Sequence, residues 1–147
     1  MLRKLALILL TFWIGSLWMT GLSANILFKT IEDRQLAGQV AGHLFTAVSY
    51  IGLVSGGLLL IQLILEKGAS SFKQYDVWII IVMVILILVG FFGIQSHLAQ
   101  LKANAFPQNV MQSQYAAEFS AWHGVSGVLY LIECLLGGVL VLLYKRQ

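Results

Sequence analysis

Hydrophobic residues in this chain occur in four long runs, which are separated by short polar segments. A helix needs about 20 mainly apolar residues to cross the hydrocarbon core of a bilayer, and each run reaches that length. The pattern therefore predicts an all-α protein, an integral membrane four-helix transmembrane bundle that forms a single domain over residues 1–147. The predicted spans cover residues 5–28, 36–65, 77–101 and 119–144.

The composition agrees with a lipid environment. Hydrophobic residues make up 59% of the chain and charged residues only 10%, whereas soluble domains carry about 25% charged residues. The formal charge of +3 is too small to indicate nucleic-acid binding. The sequence contains no phosphate-binding loop, nucleophile elbow or C-x-x-C motif. Its single cysteine, Cys134, excludes an internal disulfide.

The distribution of basic residues predicts an orientation. Six lie at the termini or between spans two and three, and three lie on the other side. Positive residues collect in cytoplasmic loops, so both termini are expected in the cytoplasm and the protein in the cell inner (plasma) membrane. The first apolar run exceeds the ~7–15 residues of a signal-peptide core, which favours a retained helix. The four tryptophans mostly fall near span ends, as in an aromatic belt: Trp13, Trp18, Trp78 and Trp122.

Small residues predict where the helices approach one another. Pairs spaced by three or four residues are Gly38 and Gly42, Gly52 and Gly56, and Gly90 and Gly93. Such pairs allow close helix packing within one chain, or alternatively a homodimer seam. Leucine at Gly42 or Gly52 is therefore expected to disrupt helix contact. Thr30 and Asp33 form an acidic variant of a capping box at the start of span two.

Span four carries a polar stripe of residues at helical spacing: His123, Ser126, Tyr130 and Glu133. Glu133 lies 14 residues into this span, about 20 Å along the helix, and the stripe is expected to face the bundle interior. Ionisable residues at membrane depth often mark a ligand site or a proton path. The structural alternative is a protonated Glu133 that hydrogen-bonds Tyr50, Gln62 or a backbone carbonyl.

The three histidines, His43, His97 and His123, all fall in the predicted outer half of the membrane. Neutral imidazole binds zinc, copper and haem iron, so a transition metal or haem is one candidate ligand, although no cofactor is otherwise predicted. No histidine pair has a local ligand spacing. The alternative is histidines that hydrogen-bond at helix ends. His97 shares a helical face with Gly90 and Gly93 and is expected to point inward.

Several segments together resemble the transmembrane protein 205-like family, whose bacterial members are classed as a domain of unknown function. They are Phe12-Trp13-Ile14-Gly15, Gly21, Leu27-Phe28, Arg34, Ala37-Gly38, Gly42 to Phe45, Phe91 to Gln95 and Phe119 to Ser126. The W-H-G-V-S element is the most specific. The family often has a proline before the Leu-Phe pair, where this chain has Asn25 and Ile26. The resemblance implies a four-helix membrane protein.

A more distant likeness is to small four-helix membrane proteins of copper resistance and to membrane-bound protoporphyrinogen oxidase, which use histidines near helix ends for haem or metal. Three hypotheses follow. The first is a non-enzymatic assembly factor or a component that handles a small solute or metal. The second is a haem- or metal-dependent membrane oxidoreductase. The third is a structural subunit of a membrane complex or homo-oligomer. The lipid bilayer is the common partner in all three.

Overall fold

The computed structural model describes residues 2–144, with side chains described from residue 4 to residue 143. Within that range the chain is helical and has no strand. The helices are α1 (Leu2–Thr30), α2 (Arg34–Lys67), α3 (Tyr75–Leu88), α4 (Ser96–Ala105) and α5 (Ala116–Tyr144). A π-helical segment, Val89–Gln95, joins α3 to α4 without a break. The chain therefore forms four helical rods that are long and apolar enough to cross a membrane, and this confirms the predicted fold class.

The ends of α2 are set by two specific residues. The Asp33 side chain accepts hydrogen bonds from the backbone amides of Gln35 at 2.8 Å and Leu36 at 3.2 Å, so Asp33 is the N-cap. The predicted Thr30 cap is wrong, because Thr30 is the last residue of α1. At the other end, Gly68 has φ of 57°, and its amide bonds the Ile64 carbonyl. Only glycine adopts this left-handed backbone readily.

The rods form a closed ring of neighbours. α1 packs on α2, α2 on α3, α3 on α5, and α5 on α1. Successive rods run in opposite directions, so the start of α1 and the end of α5 lie on the same side as the α2–α3 turn. We call that side the termini end, and the side with the α1–α2 and α4–α5 connections the loop end. Lys145, Arg146 and the side chain of Arg3, which contribute to the orientation argument, lie outside the described residues.

The core is apolar and the outer surface is apolar too. Trp13, Leu17 and Met83 are fully buried at the centre. Large aliphatic side chains such as Leu65 and Leu142 are exposed on the outside. A soluble bundle would cover these faces with charged residues, so the exposed surface suits the hydrocarbon of a bilayer.

Close approach of the helices occurs at only some of the predicted glycines. A Cβ atom at Gly52 would lie 2.7 Å from the Trp13 indole nitrogen, and one at Gly56 would lie 2.7 Å from Val84. By contrast, a Cβ atom at Gly42, Gly90 or Gly93 would meet no atom within 4 Å. Gly52 and Gly56 therefore mark real helix contacts, whereas the prediction of a packing role was wrong for the other three.

Candidate functional site

Glu133 lies on the inward face of α5, where its side chain is only 7% exposed. Its Oε1 atom is buried and has no hydrogen-bond partner among the described residues. A buried carboxylate without a partner is costly, because the protein interior solvates charge poorly. A carboxyl group with an unpartnered oxygen at this depth is a candidate for binding a proton, a cation or a hydrogen-bond donor.

Trp13 is the second buried polar group of the core. Its side chain is 0% exposed, and its indole Nε1 also has no hydrogen-bond partner among the described residues. The indole ring fits between α1 and α2 because Gly52 and Gly56 have no side chain to obstruct it. The prediction that Trp13 belongs to an aromatic belt was wrong. Trp18, Trp78 and Trp122 are exposed, as belt residues would be.

Tyr130 fixes α5 to two other helices one turn away from Glu133. Its hydroxyl donates a hydrogen bond to the Leu17 carbonyl on α1. Its ring packs edge-on against Phe45 of α2, with 4.9 Å between the centroids. A Cβ atom at Gly21 would lie 3.3 Å from this ring, so a glycine suits that position. These contacts hold the backbone of α5 that carries Glu133.

The partners that the structural interpretation proposed for Glu133 are engaged elsewhere. Tyr50 is exposed, and its ring packs against Phe91. Gln62 is buried, but its amide donates to Glu66 at 3.1 Å. Neither residue donates to the buried Oε1 of Glu133. Among the described residues, therefore, no side chain or backbone group forms a hydrogen bond with Glu133 Oε1.

The four residues of the predicted stripe differ in burial along α5. Glu133 is buried, Tyr130 and Ser126 are half-buried, and His123 is exposed. Glu133 therefore lies in the interior as the periodicity predicts, whereas His123 does not. The reason is that the loop-end half of α5 packs on α4 instead of the bundle centre. His123 stacks on Phe119 at 5.9 Å, and the Lys102 ammonium lies over the Phe119 ring.

The three histidines do not assemble. His97 Nε2 lies 3.0 Å from Glu118 Oε1 and its ring packs against Trp122, while His43 is exposed on α2. Across residues 2–144, no group of three or more histidine, cysteine, aspartate or glutamate side chains is placed to hold a metal ion. The residues thus do not fit the predicted three-histidine metal site.

A buried acidic residue at the termini end was not anticipated from the sequence. Asp76 is buried at the first turn of α3, where its carboxylate accepts from the Val77 amide at 2.9 Å. Asp76 and Gln62 line a small cavity whose other walls are apolar, including Leu10 and Leu140. The cavity has room for about one water molecule. An acidic residue beside a span boundary gives little signal in a sequence, because such positions are usually solvated.

Comparisons with known proteins identify relatives of this chain. Residues 8–107, which extend from the second turn of α1 past the end of α4, match the family described as "Domain of unknown function (DUF4149)". An uncharacterized protein from Aquifex aeolicus (strain VF5) is 35% identical over 149 residues, which cover 99% of this chain and 100% of the relative. No solved structure matches the chain. By the extent of these matches, the chain belongs to the DUF4149 family of domains of unknown function.

Proposed function

We propose that this protein is a non-enzymatic multi-pass membrane protein that handles a small solute, and that the solute binds at Glu133 inside the bundle. The observation that supports this proposal is the pair of unpartnered buried atoms, Glu133 Oε1 and Trp13 Nε1. More than about 90% of buried polar groups in proteins have a hydrogen-bond partner. Two exceptions in the same core, one an acceptor and one a donor, are best explained by a bound ligand.

The side chains around this site have separable roles in the proposal. Glu133 supplies the acceptor, and Trp13 supplies an N–H donor in the same core, beside Gly52 of α2. Tyr130 is a positioning residue, since its hydroxyl is already bonded to the Leu17 carbonyl. Gly52 and Gly56 create the space that the indole ring occupies. The protein would then work alone or as an assembly component whose state depends on the bound solute.

Loss of function on substitution of Glu133 tests the proposal. Cells that lack the gene are first compared with wild type on a panel of salts, metal ions and pH values to find a growth condition that separates them. Glutamine at 133 keeps the size and hydrogen-bonding capacity of the side chain but cannot titrate. Glu133→Gln is expected to fail in complementation at wild-type membrane levels.

The matched control is Glu32→Gln, the same chemical change at an exposed residue between α1 and α2. This variant is expected to complement fully. If Glu133→Gln complements as well as Glu32→Gln does, then Glu133 is not the functional group and the proposal is wrong.

The alternative proposal is a haem- or metal-dependent membrane oxidoreductase that uses His43, His97 and His123. It has weaker support, because His97 is bonded to Glu118 and the three rings do not come together. An absorption spectrum and a metal analysis of the purified protein test it. A Soret band or a stoichiometric metal that is lost in His97→Ala would favour the oxidoreductase over the solute-handling protein.

Two finer assignments belong to the same proposal. We propose that the protein lies in the cell inner (plasma) membrane, since its charge distribution follows the positive-inside pattern. We also propose that its family relation extends to the transmembrane protein 205-like proteins, on the strength of the segments that include Trp122–Ser126. Whether the protein forms a homo-oligomer is tested by measuring the size of the purified protein in detergent.

A further inference from the structure

Buried apolar residues of the described chain form two separate cores. The main core draws on α1, α2, α3 and α5, and it extends no further toward the loop end than Ile87 on α3 and Tyr130 on α5. A second, smaller core lies at the loop end. Its members come from α4, a short 3-10 helix, the turn before α5 and the start of α5: Leu101, Ala105, Val110, Tyr115 and Phe119.

Side-chain contacts hold the smaller core together from within. His97 of α4 lies 3.0 Å from Glu118 of α5, between Nε2 and Oε1. The Lys102 ammonium of α4 lies 5.6 Å from the centroid of the Phe119 ring of α5. We call residues 96–123 the loop-end unit, because the smaller core and these contacts all fall inside that range.

Few contacts join the loop-end unit to the first two helices. α4 packs on α5 and on the 3-10 helix Val110–Gln112, and it has no extensive contact with α1 or α2. Among the described residues, one side-chain hydrogen bond links the unit to α2, from the Asn109 amide to the Gln35 side-chain oxygen at 3.5 Å in an exposed position. A hydrogen bond of this length is weak, and water competes for both groups.

On one side the unit continues into the π-helical segment Val89–Gln95, which connects it to α3. This segment contains Gly90 and Gly93, and a Cβ atom at either position would meet no atom within 4 Å. Neither glycine is therefore required for close packing, and each lowers helix stability relative to alanine. Helices bend most often at π-helical turns and at glycine-containing pairs, so the third rod has a place to bend.

On the other side the unit continues into α5 through a similar stretch. His123 still stacks on a ring of the unit, whereas Tyr130 packs against the main core. Between them lie Gly124 and Gly127, where an added Cβ atom would again meet nothing within 4 Å. α5 also packs on the π-helical segment. Both chain connections of the unit therefore pass through glycine-containing helix in neighbouring rods.

From these observations we infer that the loop-end unit is a hinged part of the fold, which moves as one body relative to α1 and α2. It bends at the π-helical segment and at the Gly124–Gly127 stretch, and it separates from α2 at the Gln35–Asn109 contact. Segments with their own core and few contacts to the rest open at low free energy. The inference does not depend on Glu133, since the hinge and the unit lie outside the proposed solute site.

Double electron–electron resonance in lipid nanodiscs tests the movement. In a Cys134→Ser background, spin labels at Lys29→Cys and Ala103→Cys measure the distance across the loop end, from α1 to α4. Labels at Leu65→Cys and Leu142→Cys measure the distance across the termini end and are the control, because all four positions are exposed. The loop-end distance distribution is expected to be at least twice as broad as the control. Equal widths would overturn the inference.

Paired glycine substitutions test where the unit bends. Gly90→Ala with Gly93→Ala should stiffen the π-helical segment without a clash, and is expected to reduce the width of the loop-end distribution at least two-fold. The control is Gly15→Ala with Gly57→Ala, two equally open glycines outside the hinge, which should leave the width unchanged. If both pairs narrow the distribution equally, or neither does, the hinge is not at the π-helical segment.

Two further comparisons test the contact with α2 and the integrity of the unit. Gln35→Ala removes the hydrogen bond from Asn109 and is expected to shift the loop-end distribution to longer distances, whereas Gln39→Ala, at an exposed glutamine one turn later, should not. Identical distributions would contradict a closing role for this contact. Labels at Ala103→Cys and Gln114→Cys, both inside the unit, should give a distribution as narrow as the termini-end control. A broad one would show that the unit loosens instead of moving as one body, which would overturn the inference.

Discussion

At the scale of single residues, glycine positions separate tight contacts from open ones. At Gly52 a Cβ atom would lie 2.5 Å from the flexible Ile87 terminus and 2.7 Å from the rigid Trp13 ring, and at Gly42 it would meet nothing within 4 Å. Both alanine variants gain up to about 1 kcal/mol of helix propensity. Overpacking a close contact costs about 1–3 kcal/mol, so Gly52→Ala is expected to be less stable than Gly42→Ala by about that amount.

The free energy of unfolding in mixed detergent micelles, titrated with dodecyl sulfate, measures this difference. Gly42→Ala is the control, because it makes the same change in an open position of the same helix. Equal stability of the two variants would show that the Trp13 ring moves freely and that Gly52 is not a packing contact.

The Tyr130 hydroxyl gives a second prediction at the residue scale. Tyr130→Phe removes the hydrogen bond to the Leu17 carbonyl and keeps the ring contact with Phe45. Hydrogen bonds between membrane helices contribute about 0.6 kcal/mol on average and up to about 1.7 kcal/mol. The variant is expected to lose stability in this range in the same titration. Tyr75→Phe, at an exposed tyrosine, should show no loss, and an equal loss there would contradict the prediction.

Sequence reasoning found Glu133 and missed Trp13, for a physical reason. Glu133 is a charged residue in an apolar run, and its inward direction follows from the regular periodicity of α5. Trp13 is apolar in composition, and its burial depends on Gly52 and Gly56 of another helix. Its position in the middle of the first apolar run, away from both span ends, was the one available signal. Unsatisfied polar atoms become visible only when the packing partners are known.

At the scale of elements, the π-helical segment Val89–Gln95 changes the helical face on which His97 lies. Hydrogen bonds from residue i to i+5 give a π-helix more residues per turn than an α-helix. A face assigned with the α-helical period is therefore rotated after seven such residues. His97 follows this segment directly and contacts Glu118 on α5. The hydrophobic run gives no signal for the change of period, since apolar residues continue through it.

The contact between α4 and α5 yields a prediction about stability. His97 and Glu118 are both partly exposed, and their side chains are 3.0 Å apart. Exposed ion pairs usually contribute about 0.2–1 kcal/mol. A double-mutant cycle with His97→Ala and Glu118→Ala is expected to give a coupling energy in this range. A coupling of several kcal/mol would show instead that this pair determines how the loop-end half of α5 packs.

At the scale of the whole molecule, the number of helices was predictable and their arrangement was not. A bilayer requires every backbone polar group of a span to be bonded internally, so long apolar runs must be helical. Because of that constraint, the four helical rods can be predicted from hydropathy alone. Which rods touch depends on side-chain packing, as at Gly52 and Gly56. Lipid-facing and core-facing positions are similarly apolar, so hydropathy does not distinguish them. For this reason the helix faces were assigned correctly at Gly52 and Gly56 but not at Gly42, Gly90 or Gly93.

The orientation in the membrane is the final prediction, and it applies to the whole chain. Four spans place both termini on one side of the membrane. The termini end carries six basic residues and the loop end carries three. Positive residues in short loops set orientation because they are retained on the cytoplasmic side. A reporter fused after Gln147 is expected to behave as cytoplasmic, and one inserted after Gln108, an exposed residue at the loop end, as external. In a control variant, Lys67→Gln with Lys73→Gln reduces the bias from six against three to four against three and should yield a mixed signal. An external C-terminal reporter in the wild-type protein would contradict the orientation.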